Sequence, residues 1–242
     1  MEKIWVKRQI PSIISILVGI LSISILILYF HVPKKLIIGW GILSWILGVA
    51  VIKVPIYQLL IVRFLHPKLS NKWLGIFNGL VSSMAELGSA FIFFYFVLPE
   101  NLTLPQIIGF GLAAGAVESI ILPFMGNPLS GTPVMEYTEN LSKKSLSDNR
   151  LNWMGLFERI IAYFIHIFSR GLVYISKVTG NLLPVIIAVI AFAFADGKGY
   201  YDLLEKRDFA DIKILGKFYF FLMIIASILT LSFVFSYRTL IQ

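Results

Sequence analysis

Long apolar runs broken by short polar stretches dominate this chain. A hydrocarbon core of about 30 Å needs about 20 apolar helical residues to cross it. On that measure seven spans are predicted: Ile10–Phe30, Leu36–Ile52, Trp73–Leu98, Gln106–Met125, Trp153–Ile175, Asn181–Ala195 and Lys217–Ser236. The second and sixth are short, and Pro184 marks the sixth as kinked or incomplete. Val54–Leu65 is also apolar, but Arg63 interrupts it and His66-Pro67 ends it. That pattern predicts a cytoplasmic or interfacial extension rather than a span. At the start, Lys3, Lys7 and Arg8 precede an apolar run of spanning length, with no small-residue cleavage site after it. This is the pattern of a retained signal anchor. The predicted fold class is all-α, a polytopic transmembrane helix bundle of about seven spans.

Composition sharpens the class. Hydrophobic residues make up 58% of the 242 residues and charged residues only 14%. Mean hydropathy is +0.85. A water-soluble enzyme, a disordered chain and a free nucleic-acid-binding domain are excluded, because too little charge is present to cover a solvated surface. The predicted organisation is one integral membrane domain over residues 1–242. A cytoplasmic loop at 126–152 joins spans four and five, and Asp196–Lys213 forms a second polar connection.

The net charge of +8 is distributed unevenly. Fifteen of the 21 Lys and Arg fall at the N-terminus or after spans two, four and six. The opposite side has only Lys34, Lys35, Lys177 and Arg238, while Arg159 and Arg170 lie inside span five. The positive-inside rule then places the N-terminus in the cytoplasm and the C-terminus outside a cell membrane. The basic excess meets anionic headgroups, not nucleic acid, because no basic patch is interleaved with aromatics outside the spans. Trp5, Trp40, Trp45, Trp73 and Trp153 include several near predicted span ends, where interfacial aromatics belong. The absence of cysteine removes disulfides, thiol catalysis and thiolate-bound zinc. No phosphate-binding or dinucleotide-binding glycine motif is present, so no cofactor is expected.

Ionisable groups inside apolar spans are costly unless paired or hydrated, and they mark function by default. Glu86 shares one face of span three with Gly79, Ser82, Ser83, Ser89 and Ala90. Glu118 ends a small face of span four made by Gly111, Ala114 and Gly115. Span five carries Arg159, Ala162, Tyr163, His166, Ser169 and Arg170 on one face, with Glu158 about 100° away from Arg159. Arg159 and Arg170 are read as reaching toward opposite interfaces, whereas His166 between them has no such route. Small faces also serve plain helix packing, and a buried His or Glu also serves as a polar clasp. Taken together, the three helices predict one shared polar site. Its two carboxyls and imidazole suit water activation and carbonyl polarisation, proton or cation transfer, or a structural ion pair with Arg159. No zinc-ligand spacing such as H-E-x-x-H is present, and no metal is assigned.

Four segments carry a family resemblance. They are Met84-Ala85-Glu86-Leu87-Gly88-Ser89, the glycine-rich stretch from Gly109 to Glu118, Glu158-Arg159 leading through Ala162 and His166 to Ser169, and Phe192–Gly197. Their order resembles the intramembrane glutamate-type peptidases. That group includes CAAX-processing proteases, bacteriocin-processing proteins, PrsW-like proteases and, nearest in pattern, the YhfC-like membrane peptidases. The resemblance runs over roughly Leu74–Gly197 and is best in the third segment. It departs at Ala85 and Ser89 or Ala90, which stand where the pattern has Glu and Arg. It departs again at Ala113 or Ala114 and at Phe192, which stand where it has His.

The resemblance implies that Glu118 or Glu86 serves as base. His166 orients water or stabilises the oxyanion, and Arg159, beside Glu158, keeps a carboxylate ionised. The implied substrate is a membrane-embedded or membrane-adjacent peptide. Two other readings stay open: an inactive peptidase-like subunit that binds a partner membrane protein, and a small proton-coupled transporter.

Overall fold

The computed structural model describes residues 2–29, 35–121, 149–209 and 211–241. The described residues form seven helices and no strand. We number them α1 (Glu2–Tyr29), α2 (Leu36–Leu65), α3 (Asn71–Val97), α4 (Leu104–Ile121), α5 (Asn149–Thr179), α6 (Leu183–Leu204) and α7 (Ile212–Ile241). Five of them, α2, α3, α4, α6 and α7, are long and apolar enough to cross a membrane. In α1 the described apolar part is the shorter Ile13–Tyr29. Glu158, Arg159, His166 and Arg170 interrupt the apolar character of α5. Most of the predicted loop at 126–152 lies outside the described residues, and from Asn149 the chain is already helical.

Two boundaries differ from the sequence reading. The second helix does not stop at Ile52 but continues to Leu65 as one helix of 30 residues. Pro55 does not stop it, although it has no N–H and its ring presses on the preceding turn. The chain accommodates it by widening into π-helical turns over Leu47–Lys53, and a second π-helical stretch follows over Tyr57–Leu65. The sixth helix starts at Leu183, with Pro184 tolerated in its first turn, and runs past Ala195 to Leu204. The segment read as a connection from Asp196 onward is therefore helical for two more turns.

The bundle turns soluble-protein logic inside out. Large apolar side chains such as Leu17, Leu28, Met84, Phe96, Phe194, Leu231 and Phe235 are exposed. Ser44, Ser82, Ser83, Glu86, Ser89, His166, Ser169 and Arg170 are buried. An apolar outside around a polar inside fits a lipid surround. α3 packs chiefly on α6, α4 on α5, α1 and α2, and α5 also on α6 and α7.

Small residues set the spacing of the two central seams. On α3, a Cβ at Gly79 would lie 2.1 Å from the Ala193 carbonyl oxygen of α6. On α4, a Cβ at Gly111 would lie 2.5 Å from the Ile167 Cα of α5. Close backbone approach of this kind needs glycine. Gly79→Ala is therefore expected to destabilise the protein by about 1–3 kcal/mol. Gly88→Ala on the same helix, with nothing within 4 Å of the new methyl, is expected to be neutral or to stabilise by up to about 1 kcal/mol. Thermal unfolding in detergent reads both, and equal midpoints would overturn the seam.

Candidate functional site

The polar faces of α3, α4 and α5 converge as the sequence predicts. Glu86, Glu118 and His166 each offer a ligand atom, and these atoms lie within 4.8 Å of one another. Two further helices contribute. α2 supplies Trp45 and Lys53, and α6 supplies Asp196. The result is an ion cluster in the middle of an apolar bundle.

Glu86 anchors one half. It is 1% exposed. Lys53 Nζ donates to its Oε1 at 3.1 Å, and Arg170 Nη2 donates to its Oε2 at 3.1 Å. Ser82, one turn earlier on α3, donates to Oε1 at 3.4 Å and also to Asp196. Lys53 bridges to Asp196 Oδ2 at 3.1 Å. Close packing lets Lys53 in: a Cβ at Gly48 on α2 would sit 2.9 Å from the Glu86 Cα.

Glu118 anchors the other half. His166 Nε2 lies 2.8 Å from its Oε2, Trp45 Nε1 donates to the same oxygen at 3.1 Å, and Arg159 Nη1 donates to Oε1 at 3.1 Å. Arg159 also donates through Nη2 to Glu158 Oε1 at 2.7 Å. Tyr219 of α7 donates to Glu158 Oε2 at 3.3 Å. Gly115 leaves room for this packing, since a Cβ there would press on the rings of Tyr163 and His166. The cluster opens outward at both ends. The Glu158 side chain is 37% exposed and that of Asp196 is 32% exposed, while Glu86 and Arg170 between them are closed off.

All five predicted site residues, Glu86, Glu118, Glu158, Arg159 and His166, lie in this cluster. Arg170 departs from its sequence reading. It does not reach an interface but is 0% exposed and faces Glu86. Its guanidinium follows a carboxylate across the bundle at less cost than it would meet facing lipid unpaired. Trp45, inside the second predicted span, is 1% exposed and bonded to Glu118. Trp73, at the start of α3, is exposed as expected.

Lys53 and Asp196 are the site residues that sequence reasoning missed. In a regular α-helix Trp45 and Lys53 stand about 80° apart. The wider π turns between them reduce the rotation per residue, and both side chains reach the same interior.

The donor set of Glu86, Glu118 and His166 has the composition of a metal site. Both oxygens of Glu86, however, already meet cations. A metal ion there would compete with Lys53 and Arg170, so the donors fit an internally balanced ion cluster better. No family model, curated protein or solved structure matches this chain.

Proposed function

We propose that this chain is a peptidase-like membrane protein that hydrolyses membrane-embedded or membrane-adjacent peptides through Glu118 and His166. The observation that carries the reading is the 2.8 Å contact between His166 Nε2 and Glu118 Oε2. A carboxylate that accepts the Nε2 proton fixes the imidazole tautomer and leaves Nδ1 as a base. His166 Nδ1 is buried and has no partner. Glu118 then orients and supports the charge that His166 gains when it takes a proton from water. Glu86 is a poor base by comparison, because cations hold both its oxygens. The partly exposed Glu158 and Arg159 give the direction of approach. Glu118 lies in the last described turn of α4. The basic residues of the sequence put that end of α4 in the cytoplasm and the C-terminus outside.

The test is cleavage of a library of membrane-anchored peptides by purified protein in lipid, with Glu118→Gln and His166→Ala alongside. Specific cleavage by the wild type that both variants lose is the expected result. Wild-type cleavage no greater than that of the folded variants would overturn the assignment. One observation favours a second reading: Glu86 is saturated by Lys53 and Arg170, as in a structural network. In that reading the chain is an inactive peptidase-like subunit that holds a partner membrane protein. Co-purification of such a partner without cleavage would support it.

A further inference from the structure

Arg170 is fully buried and only partly used. Its Nη2 binds Glu86, while Nε and Nη1 have no hydrogen-bond partner. A buried N–H left unpaired costs about 1–3 kcal/mol, and more on a charged group. One turn earlier on the same face of α5, His166 Nδ1 is also unpartnered. Phe192 of α6 lies against both residues. Its ring centroid is 5.8 Å from that of His166 and 5.9 Å from Arg170 Cζ. One face of α5 therefore holds two buried guanidinium donors and, one turn away, an imidazole nitrogen, all without hydrogen-bond partners, on two residues that pack against Phe192.

The charge of the cluster limits what these donors receive. Lys53, Arg159 and Arg170 face Glu86, Glu118, Glu158 and Asp196, so carboxylates outnumber these cations by one. A permanently anionic ligand is disfavoured there. A neutral carbonyl oxygen that becomes negative only during reaction fits, because fixed donors stabilise it where charge develops. We propose that Arg170 receives the carbonyl oxygen of the scissile peptide bond through Nε and Nη1, with Glu86 as its positioning residue. The proposal rests on the peptidase reading above.

The step balances without another reagent than water. Water oxygen bonds to the carbonyl carbon and gives its proton to His166 Nδ1. The carbonyl π electrons move to oxygen, where Arg170 holds the negative charge. The tetrahedral species then collapses, the C–N bond breaks, and the proton on Nδ1 passes to the leaving nitrogen. The products are a carboxylic acid and an amine. Glu86 accepts no proton in this sequence and serves to keep the guanidinium fork in place.

The test compares wild type, Arg170→Lys and His166→Ala in lipid with a cleaved membrane-anchored peptide. Arg170→Lys keeps a cation against Glu86 but loses the planar fork. The expected result is a kcat loss of about 10²–10³-fold with KM within about threefold. If Arg170→Lys does not fold, Glu86→Gln carries the test, with a kcat loss of about tenfold or more at unchanged KM. Wild-type cleavage lost in His166→Ala but kept in Arg170→Lys, or in Glu86→Gln where that variant is used, would leave the peptidase reading standing and overturn this role for Arg170. Absence of wild-type cleavage would overturn both.

Discussion

Glu86→Leu is expected to lower folding stability by about 3–5 kcal/mol, because it strands a buried charge. Lys53 retains Asp196 as a partner, but Arg170 loses the only carboxylate within hydrogen-bonding distance of it among the described residues. A guanidinium with no exposure has no water to replace that partner. The loss is a large share of a typical stability of about 5–15 kcal/mol, and it should show as a sharply lower thermal midpoint in detergent. The informative companion is Glu86→Leu with Arg170→Met. Removing both charges replaces an ion pair with apolar packing, which is often neutral or stabilising. The double variant is expected to recover most of the lost stability. If Glu86→Leu alone melts like the wild type, Glu86 is not the partner that holds Arg170. A double variant that is as stable as wild type but inactive would mean that the buried pair is kept for chemistry rather than for folding.

That experiment bears on why some of the site was legible in the sequence and some was not. Glu86, Glu118 and His166 are conspicuous because a charge in the middle of an apolar run is expensive and stands out in any hydropathy reading. Their small-residue faces also predicted which sides of α3 and α4 pack inward, as Gly79 and Gly111 confirm. Lys53 was hidden by its position. It follows Ile52 at the end of a run that regular helix geometry allows to stop there, and a lysine at a span end reads as an anchor. Only the π turns around Pro55 carry α2 onward and aim Lys53 inward. Asp196 was hidden in the same way, because Asp-Gly-Lys-Gly reads as a turn while α6 continues through it. Arg170 was placed correctly on its helix but assigned the wrong destination. Periodicity gives a face, and only the tertiary arrangement shows that Glu86 stands opposite. The membrane class needed no such geometry, since five helices carry it by length and apolarity alone.

The largest functional effect is expected from the pair on which the peptidase reading rests. Both Glu118→Gln and His166→Ala are expected to cut kcat by about 10²–10⁴-fold. The reasons differ. In the peptidase reading, His166→Ala removes the proton acceptor. Glu118→Gln keeps the shape but offers an amide N–H to His166 Nε2, which favours the tautomer with its proton on Nδ1 and so removes the lone pair that faces water. It also withdraws the anion that balances the imidazolium formed during reaction. Because both variants disable one proton transfer, their effects cannot multiply. The double variant is expected to be no slower than His166→Ala alone, within about threefold. A double variant slower by the product of the two single losses would mean that Glu118 and His166 act in separate steps. The 2.8 Å contact would then be a structural ion pair, not the working bond of a dyad. Arg159→Ala separates the two possibilities from a third side. It removes the Oε1 partner of Glu118 without touching the Oε2–His166 contact. A dyad should keep a measurable fraction of its rate in that variant, whereas a purely structural network should lose stability and leave no rate difference among the folded proteins.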